Sequence, residues 1–186
     1  YLTASKGSGA PVLKLDNDNE STQTLTFGLS DSSHVTNDRT YSGAVTLSDS
    51  GANTLKVSSG TADADYNKLQ ELSGVIADGA GTATLNKTGV GKLKLSGNNT
   101  FGPSSGSVGV NINDGTLILA GATNNAAGAG NISVNKGKLE IANGRTISNT
   151  LTSDNSGRSF IGGTGKISTV SIGSANGNID VLSPGE

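Results

Sequence analysis

Short stretches in which aliphatic and polar residues alternate recur along the chain, each starting at a small or polar residue. The clearest copies begin at Gly91, Gly115 and Gly137 and read Gly-Lys-Leu-Lys-Leu, Gly-Thr-Leu-Ile-Leu and Gly-Lys-Leu-Glu-Ile. Further copies lie at residues 53–57 and 177–181, with a partial copy at 165–167. Alternation over so few positions is typical of short β-strands with one buried face.

The spacing of these copies predicts how the strands assemble. Gly91, Gly115 and Gly137 follow each other at nearly equal intervals, and a second strand of the same type precedes several copies, at 45–47, 110–112, 132–134 and 170–172. Strands this short gain stability when successive coils stack, each strand pairing in parallel with its equivalent about 4.8 Å away. The sequence therefore predicts an all-β fold, a right-handed parallel β-helix (β-solenoid) with about 22–24 residues per coil.

The repeats divide the chain unevenly. Residues 1–40 match the pattern poorly, with strand candidates at 12–15 and 25–29, and are predicted to form N-terminal coils. Residues 41–186 carry the repeats, and we expect the two parts to form one continuous domain that is truncated at its C-terminal end. Residues 63–72 give the best helix signal; we expect a short excursion there, followed by a strand at 72–76.

Composition and charge narrow the function. Hydrophobic residues make up 32% of the chain and aromatic residues 3%, with no Cys, Met or Trp, so the core must be narrow and built from Leu, Ile, Val and Ala. The 13 basic and 15 acidic residues are scattered singly, which gives no basic stripe for a nucleic-acid partner. No run approaches the roughly 18 apolar residues of a membrane span, so we expect no membrane insertion of this segment.

Residues 72–119 resemble the passenger-associated transport repeat of bacterial autotransporters, which use type V secretion. The resemblance lies in the order of three parts: a strand with Ser-Gly and an aliphatic pair, a Leu-x-Lys-x-Gly-x-Gly-x-Leu-x-Leu-Ser-Gly-x-Asn-Thr run with an aromatic residue, and a Gly-Thr-Leu strand. The repeat motif consists of Leu85, Lys87, Gly89, Gly91, Leu93, Leu95, Ser96, Gly97, Asn99, Thr100, Phe101, Gly115, Leu117 and Leu119, with Gly137, Leu139 and Ile141 in the next coil. Residues 162–165 and 182–185 are similar to the Gly-Gly-Thr-Gly and Leu-Ser-Pro-Gly segments that follow this repeat.

The resemblance implies a non-enzymatic passenger segment, exported through the outer membrane of a Gram-negative bacterium and displayed or released, whose translocator barrel is missing. We expect a rigid stalk and adhesin whose partner is a host or bacterial surface, or an identical passenger. One alternative is a secretion and folding stalk for a functional region elsewhere. Another is a glycan-active β-helix enzyme, for which no acidic cluster shares a coil with the strand lysines.

Each candidate chemical site lacks a residue or a setting that its chemistry requires. His34, the sole histidine, lies in a polar run where a solvated loop residue is expected, not a catalytic triad. Residues 16–20 resemble a calcium loop but lack its later Gly and Glu, which leaves at most a weak calcium site. Asp63 and Asp65 are expected to be surface charges, and Phe101 and Phe160 to fill corners or ends of the interior. The sequence indicates no catalytic, cofactor-binding or metal-binding residues.

Overall fold

The computed structural model describes residues 2–5, 12–16, 22–28, 39–48, 52–58, 68–79, 81–104, 106–123, 125–153, 157–168 and 181–182. All the regular secondary structure of these residues consists of β-strands. In chain order they are β1 (Leu2–Ser5), β2 (Val12–Asp16), β3 (Thr22–Gly28), β4 (Arg39–Tyr41), β5 (Val45–Ser48), β6 (Ala52–Ser58), β7 (Leu69–Leu72), β8 (Ile76–Asp78), β9 (Thr82–Thr88), β10 (Lys92–Leu95), β11 (Val108–Ile112), β12 (Thr116–Leu119), β13 (Asn131–Val134), β14 (Gly137–Ile141), β15 (Thr146–Ile147), β16 (Leu151–Thr152), β17 (Ser159–Gly163), β18 (Lys166–Ile167) and β19 (Val181–Leu182).

The strands form a β-solenoid whose coils pass through three faces. The seven-stranded sheet has the order β19-β17-β14-β12-β10-β7-β4, and the six-stranded sheet β16-β13-β11-β9-β6-β3. The third face carries the four-stranded sheet β1-β2-β5-β8 and the two-stranded sheet β15-β18. One coil runs from β7 through β8 and β9 to β10, which pairs in parallel with β7. The predicted parallel β-solenoid is confirmed, except that β1 and β2 pair antiparallel.

The strand register of the seven-stranded sheet gives the length of each coil. Leu69 lies opposite Lys92, Lys92 opposite Thr116, and Thr116 opposite Lys138. These intervals agree with the predicted coil of about 22–24 residues. The N-terminal coils are longer, because β3–β4 and β6–β7 are joined by longer connections. Arg39 and Gln70, which lie opposite each other, are accordingly further apart in the chain than the equivalent residues of the central coils.

Two copies of the alternating pattern lie on other faces than the three clearest copies. The copy at 53–57 belongs to β6 in the six-stranded sheet, where Leu55 lies opposite Leu85. The partial copy at 165–167 contributes β18 to the two-stranded sheet. The pattern does not identify the face, because every face of the solenoid needs the same alternation. At 177–181 only Val181 is described, and it lies in the seven-stranded sheet opposite Phe160.

The local strand predictions fare differently along the chain. The candidate at 12–15 is confirmed as β2, and the candidate at 25–29 overlaps β3, which ends at Gly28. The strand expected at 72–76 was wrong, because Leu72 ends β7, residues 73–75 form a bend, and Ile76 begins β8. Residues 63–67 of the predicted excursion lie outside the described residues.

The core consists of aliphatic columns that run along the solenoid axis, since equivalent inward residues of successive coils lie in register. All members are nearly or fully buried. In the seven-stranded sheet the columns are Leu93-Leu117-Leu139-Ile161 and Leu72-Leu95-Leu119-Ile141; in the six-stranded sheet one is Leu85-Val110-Ile132-Leu151. Each coil thus covers the apolar face of its neighbours, which a single coil does not achieve alone.

We expect Leu117→Ala to lower the free energy of unfolding by about 3 kcal/mol, because it leaves a cavity in the middle of a closed column. The matched control is Ile118→Ala, one residue on, where the side chain points outward and is only partly buried. The control should cost less than about 1 kcal/mol. Urea unfolding measures both, and equal losses would contradict the strand register.

Candidate functional site

The predicted motif residues are mostly internal parts of the solenoid. Phe101 is fully buried, as expected of a side chain that fills the interior. Thr100 is exposed, and Gly89, Ser96, Gly115 and Gly137 are partly buried. The buried members are Leu85, Lys87, Gly91, Leu93, Leu95, Gly97, Asn99, Phe101, Leu117, Leu119, Leu139 and Ile141.

Lys87 is a lysine with no exposed surface, held at the corner between β9 and β10. It follows Ala83 and Leu85 at every second position of β9, so strand geometry turns it inward. Its Nζ donates to the carbonyl oxygens of Thr88 at 2.9 Å, Gly89 at 2.7 Å and Asp114 at 3.1 Å. The three N–H donors of an ammonium group thus meet three carbonyl acceptors, two in its own coil and one in the next.

Burial lowers the pKa of Lys87 to about 8, and the neighbouring Asp114 carboxylate acts against this shift. The ammonium form still predominates at neutral pH. The lysine therefore serves as a charged clamp that joins two consecutive coils at the corner, where regular strand pairing is interrupted.

Gly115 completes this corner. Its φ of +65° is rare for residues with side chains, and an added Cβ would lie 2.4 Å from the Gly89 carbonyl oxygen and 2.8 Å from the Lys87 Nζ. A side chain at this position would displace the lysine from its acceptors. The copies at Gly115 and Gly137 thus begin with glycine because the corner has no room there for a side chain.

Asn99 performs an equivalent task on the third face, where the coil after β10 has no strand. Its Oδ1 accepts from the Ile76 N–H at 2.8 Å, and its Nδ2 donates to the Ala126 carbonyl at 2.6 Å. The buried side chain therefore bonds to the coil on either side. An adjacent backbone bond, from the Thr100 N–H to the Ile76 carbonyl at 2.9 Å, extends the same connection.

The outer face of the seven-stranded sheet carries a small polar cluster at Glu71, Lys94 and Ser96. Ser96 Oγ donates to Glu71 Oε1 at 2.6 Å, and Lys94 Nζ lies 3.2 Å from the same oxygen. The hydrogen bond from Ser96 and the charge and hydrogen bond of Lys94 lower the pKa of Glu71 against the opposing effect of burial. The cluster links two coils on the outside, as Lys87 does on the inside.

Two features were missed by sequence reasoning. Phe160 occupies the outward side of β17, since its neighbours Ser159 and Ile161 are buried, so the expectation that it fills the interior was wrong. Asp78 accepts from the Gly102 N–H at 2.9 Å through Oδ2. Burial raises the pKa of Asp78, although backbone hydrogen bonds from Gly102 and Ala83 oppose this.

A corner furrow of about 370 Å³ follows the junction of the six- and seven-stranded sheets. It is lined by Asp114, Gly115, Thr116, Lys136, Gly137, Lys138, Arg158 and Phe160. Three successive coils contribute to it, because Thr116 lies opposite Lys138 and Lys138 lies opposite Phe160. It is the candidate functional site of this chain.

The other candidate chemical residues lie outside the described residues: His34, Asp63, Asp65 and residues 17–20, while Asp16 ends β2. Among the residues that the structure describes, no three His, Cys, Asp or Glu side chains form a group that could hold a metal ion. The described part of the chain also contains no helix long and apolar enough to cross a membrane. Comparison with family models, characterised proteins and solved structures found no match to this chain.

We expect Asn99→Ala to lower the free energy of unfolding by roughly 2–4 kcal/mol, because it leaves a buried N–H and a buried carbonyl without partners. Asn98→Ala is the matched control, since Asn98 is exposed and its Oδ1 accepts from the Thr123 hydroxyl on the surface. It should cost under about 1 kcal/mol in the same urea titration. A similar loss for both variants would refute the bridging role of Asn99.

The buried Lys87 predicts a pH dependence of stability. Its folded pKa of about 8 lies below the ordinary 10.5, so between these values the unfolded chain holds a proton that the folded chain has released. Stability therefore rises with pH across this interval, by up to roughly 3 kcal/mol at about 1.4 kcal/mol per pH unit.

This contribution is measured as the difference in unfolding free energy between the native chain and Lys87→Met at several pH values from 7 to 10.5. The difference should move in favour of the native chain as the pH rises, since other titrating groups are common to both proteins. Lys166→Met reports the general effect of removing an exposed lysine. A difference that falls as the pH rises would contradict the assignment.

Proposed function

We propose that this chain is a non-enzymatic segment of a bacterial autotransporter passenger, exposed on the cell surface or secreted, that acts as a rigid stalk and an adhesive or self-association module. The observation that carries the proposal is that the polar residues of the transport-repeat motif join successive coils. Its most distinctive polar members, Lys87 and Asn99, both donate hydrogen bonds to the next coil. A sequence pattern devoted to coil stacking suits a stalk better than a catalytic centre.

The outer surface of the six-stranded sheet supplies a face for association. Asn111 Nδ2 donates to Asn86 Oδ1 at 2.9 Å, and Asn135 Nδ2 donates to Asn113 Oδ1 at the same distance. These amides repeat at the coil spacing, and partly exposed Thr84 and Thr152 belong to the same sheet. Lys56 lies opposite Asn86 in the same outward column, and the positions that follow it toward the C-terminus are uncharged donors and acceptors. A regular array of this kind favours contact with another such array.

A second candidate function is a secretion and folding stalk that presents a functional region elsewhere in a longer protein. The side-chain bridges favour it, because Lys87 and Asn99 complete their hydrogen bonds only when the next coil joins. Such dependence on the neighbouring coil drives sequential growth of a solenoid. In this alternative the chain matters for surface yield, and adhesion resides elsewhere.

The test is to join residues 1–186 to an unrelated autotransporter translocator and display them on Gram-negative cells that lack adhesins of their own. We expect these cells to clump and to attach to surfaces more than cells displaying an unrelated folded domain. Surface antibody labelling is used to compare the cells at equal display. Absence of clumping and attachment at equal display would contradict the adhesive function and leave the secretion stalk.

A charge variant locates the contact. Asn111→Glu places a carboxylate on the amide face and should abolish clumping, because identical charges meet when two copies associate. Thr100→Glu adds the same charge at an exposed position on the third face and should leave clumping intact. Equal clumping by both variants would exclude the six-stranded sheet as the contact face.

A further inference from the structure

The corner furrow has a floor without side chains between two walls. Gly115 and Gly137 form the floor, where the Lys138 N–H bonds to the Gly115 carbonyl at 2.8 Å. An added Cβ at Gly137 would lie 2.5 Å from that same oxygen, so the floor stays open for a reason internal to the fold. The furrow runs parallel to the solenoid axis and therefore fits an extended, linear ligand.

The walls of the furrow carry more positive than negative charge. One wall consists of Asp114, Lys136 and Arg158, and the other includes Lys138. Lys136 Nζ lies 3.9 Å from Asp114 Oδ2, and its side chain remains 60% exposed. An anion that approaches the furrow thus meets Lys136 and Lys138 on either side of Gly137 in one coil, and Arg158 in the next coil about 4.8 Å further along. Asp114 is the single carboxylate among the lining residues.

Two contacts order these groups before any ligand arrives. The aliphatic part of Lys136 passes close over Gly157, where an added Cβ would lie 2.9 Å from the lysine Cγ. Lys138 Nζ is held 2.6 Å from Glu140 Oε1 on the same strand. Side chains whose positions are already restricted lose less conformational entropy on binding.

The ring of Phe160 lines the same furrow and is partly exposed on the outside of the solenoid. It lies opposite Lys138 in the next coil, so an apolar flat surface is placed beside the cations. A flat ring packs against the apolar face of a sugar ring, while the planar Arg158 guanidinium matches a carboxylate with two hydrogen bonds. The combination of ring and cations suits a sugar that bears a carboxylate.

We propose that the corner furrow binds a linear acidic polysaccharide, with Lys136, Lys138 and Arg158 bonding to its carboxylates and Phe160 packing against a sugar ring. This deepens, and rests on, the proposed surface role of the chain. Nucleic acid is disfavoured because the furrow is lined by one aromatic ring, Phe160, whereas grooves for single-stranded nucleic acid stack successive bases on several rings.

The experiment is a calorimetric titration of the full chain with polygalacturonate, and with dextran, poly-glutamate and poly-dT for comparison. We expect polygalacturonate to bind, with an affinity that falls as salt is added, and dextran not to bind. Poly-glutamate and poly-dT should bind at least tenfold more weakly, since neither presents a carboxylate on a sugar ring. Equal or tighter binding of either polymer, or binding of dextran, would overturn the proposal.

Variants localise the site. The double variant K136Q/R158Q should weaken polygalacturonate binding roughly tenfold or more, through the loss of two charge-assisted hydrogen bonds. R145Q/K166Q removes one Arg and one Lys from the third face and should bind like the native chain. Phe160→Leu, which keeps an apolar side chain and all charges, should also weaken binding. Equal affinities for the furrow and third-face variants would overturn the proposal.

The outcome is separable from that of the proposed function. Circular dichroism and urea midpoints establish that each variant is folded before it is titrated. Cells displaying K136Q/R158Q report clumping independently of polysaccharide affinity, because the amide face of the six-stranded sheet is untouched. If Asn111→Glu abolishes clumping while all chains bind the polysaccharide equally, the furrow inference is contradicted and the adhesive function is still supported.

Discussion

The structure depends on one constraint, that every inward side chain must lie in register with its equivalents in the coils on either side. Aliphatic residues meet it easily, which is why columns such as Leu93-Leu117-Leu139 are uniform. A polar residue in such a column must find its hydrogen-bond partners in the same or the next coil. Lys87 occupies a column position opposite Val57 on one side and Ile112 on the other, and its ammonium reaches three carbonyls at the corner. The requirement for register thus accounts both for the aliphatic columns and for the few polar residues that occupy inward positions.

The third face shows what the same constraint demands where no strand forms. Beyond β10 the chain leaves the strand geometry, and the backbone groups of Ile76 and Ala126 would lose partners on that side. Asn99 offers an amide, which has the donor and acceptor of a peptide group, and takes the place of the missing strand. Burying this amide is favourable only because both of its ends are bonded. The Asn99 amide therefore keeps three successive coils bonded to one another on this irregular face.

The sequence predicted the fold because alternation and spacing are properties of single coils, which are local in the chain. It did not predict the face on which each strand lies, since the copy at 53–57 alternates like 91–95 yet belongs to the six-stranded sheet. Phe160 was misplaced for a related reason. Phe160 and Ile161 are adjacent apolar residues, and only the register with Lys138 and Leu139 decides which of them points inward. The furrow was not predictable either, because it joins residues of three successive coils that are distant in the chain, and the repeat motif contributes only its floor glycines.

The difference between inward and outward residues also indicates where a functional site can lie in such a molecule. Inward positions and corner glycines are fixed by packing, so Gly115 and Gly137 are alike although their coils differ outside. The outward columns are not fixed in this way. In one of them Lys92, Thr116, Lys138 and Phe160 succeed each other, a range of chemistry that no inward column contains among the described residues. Because a charge or ring there costs the fold little, specificity is free to vary on the outer faces and corners.

The corner furrow combines both kinds of position, since its glycine floor is required by the fold while its charged and aromatic walls are not. A solenoid that recognises a partner would do so at such a place, and this asymmetry makes the walls, rather than the inward repeat residues, the part of the sequence to examine for specificity.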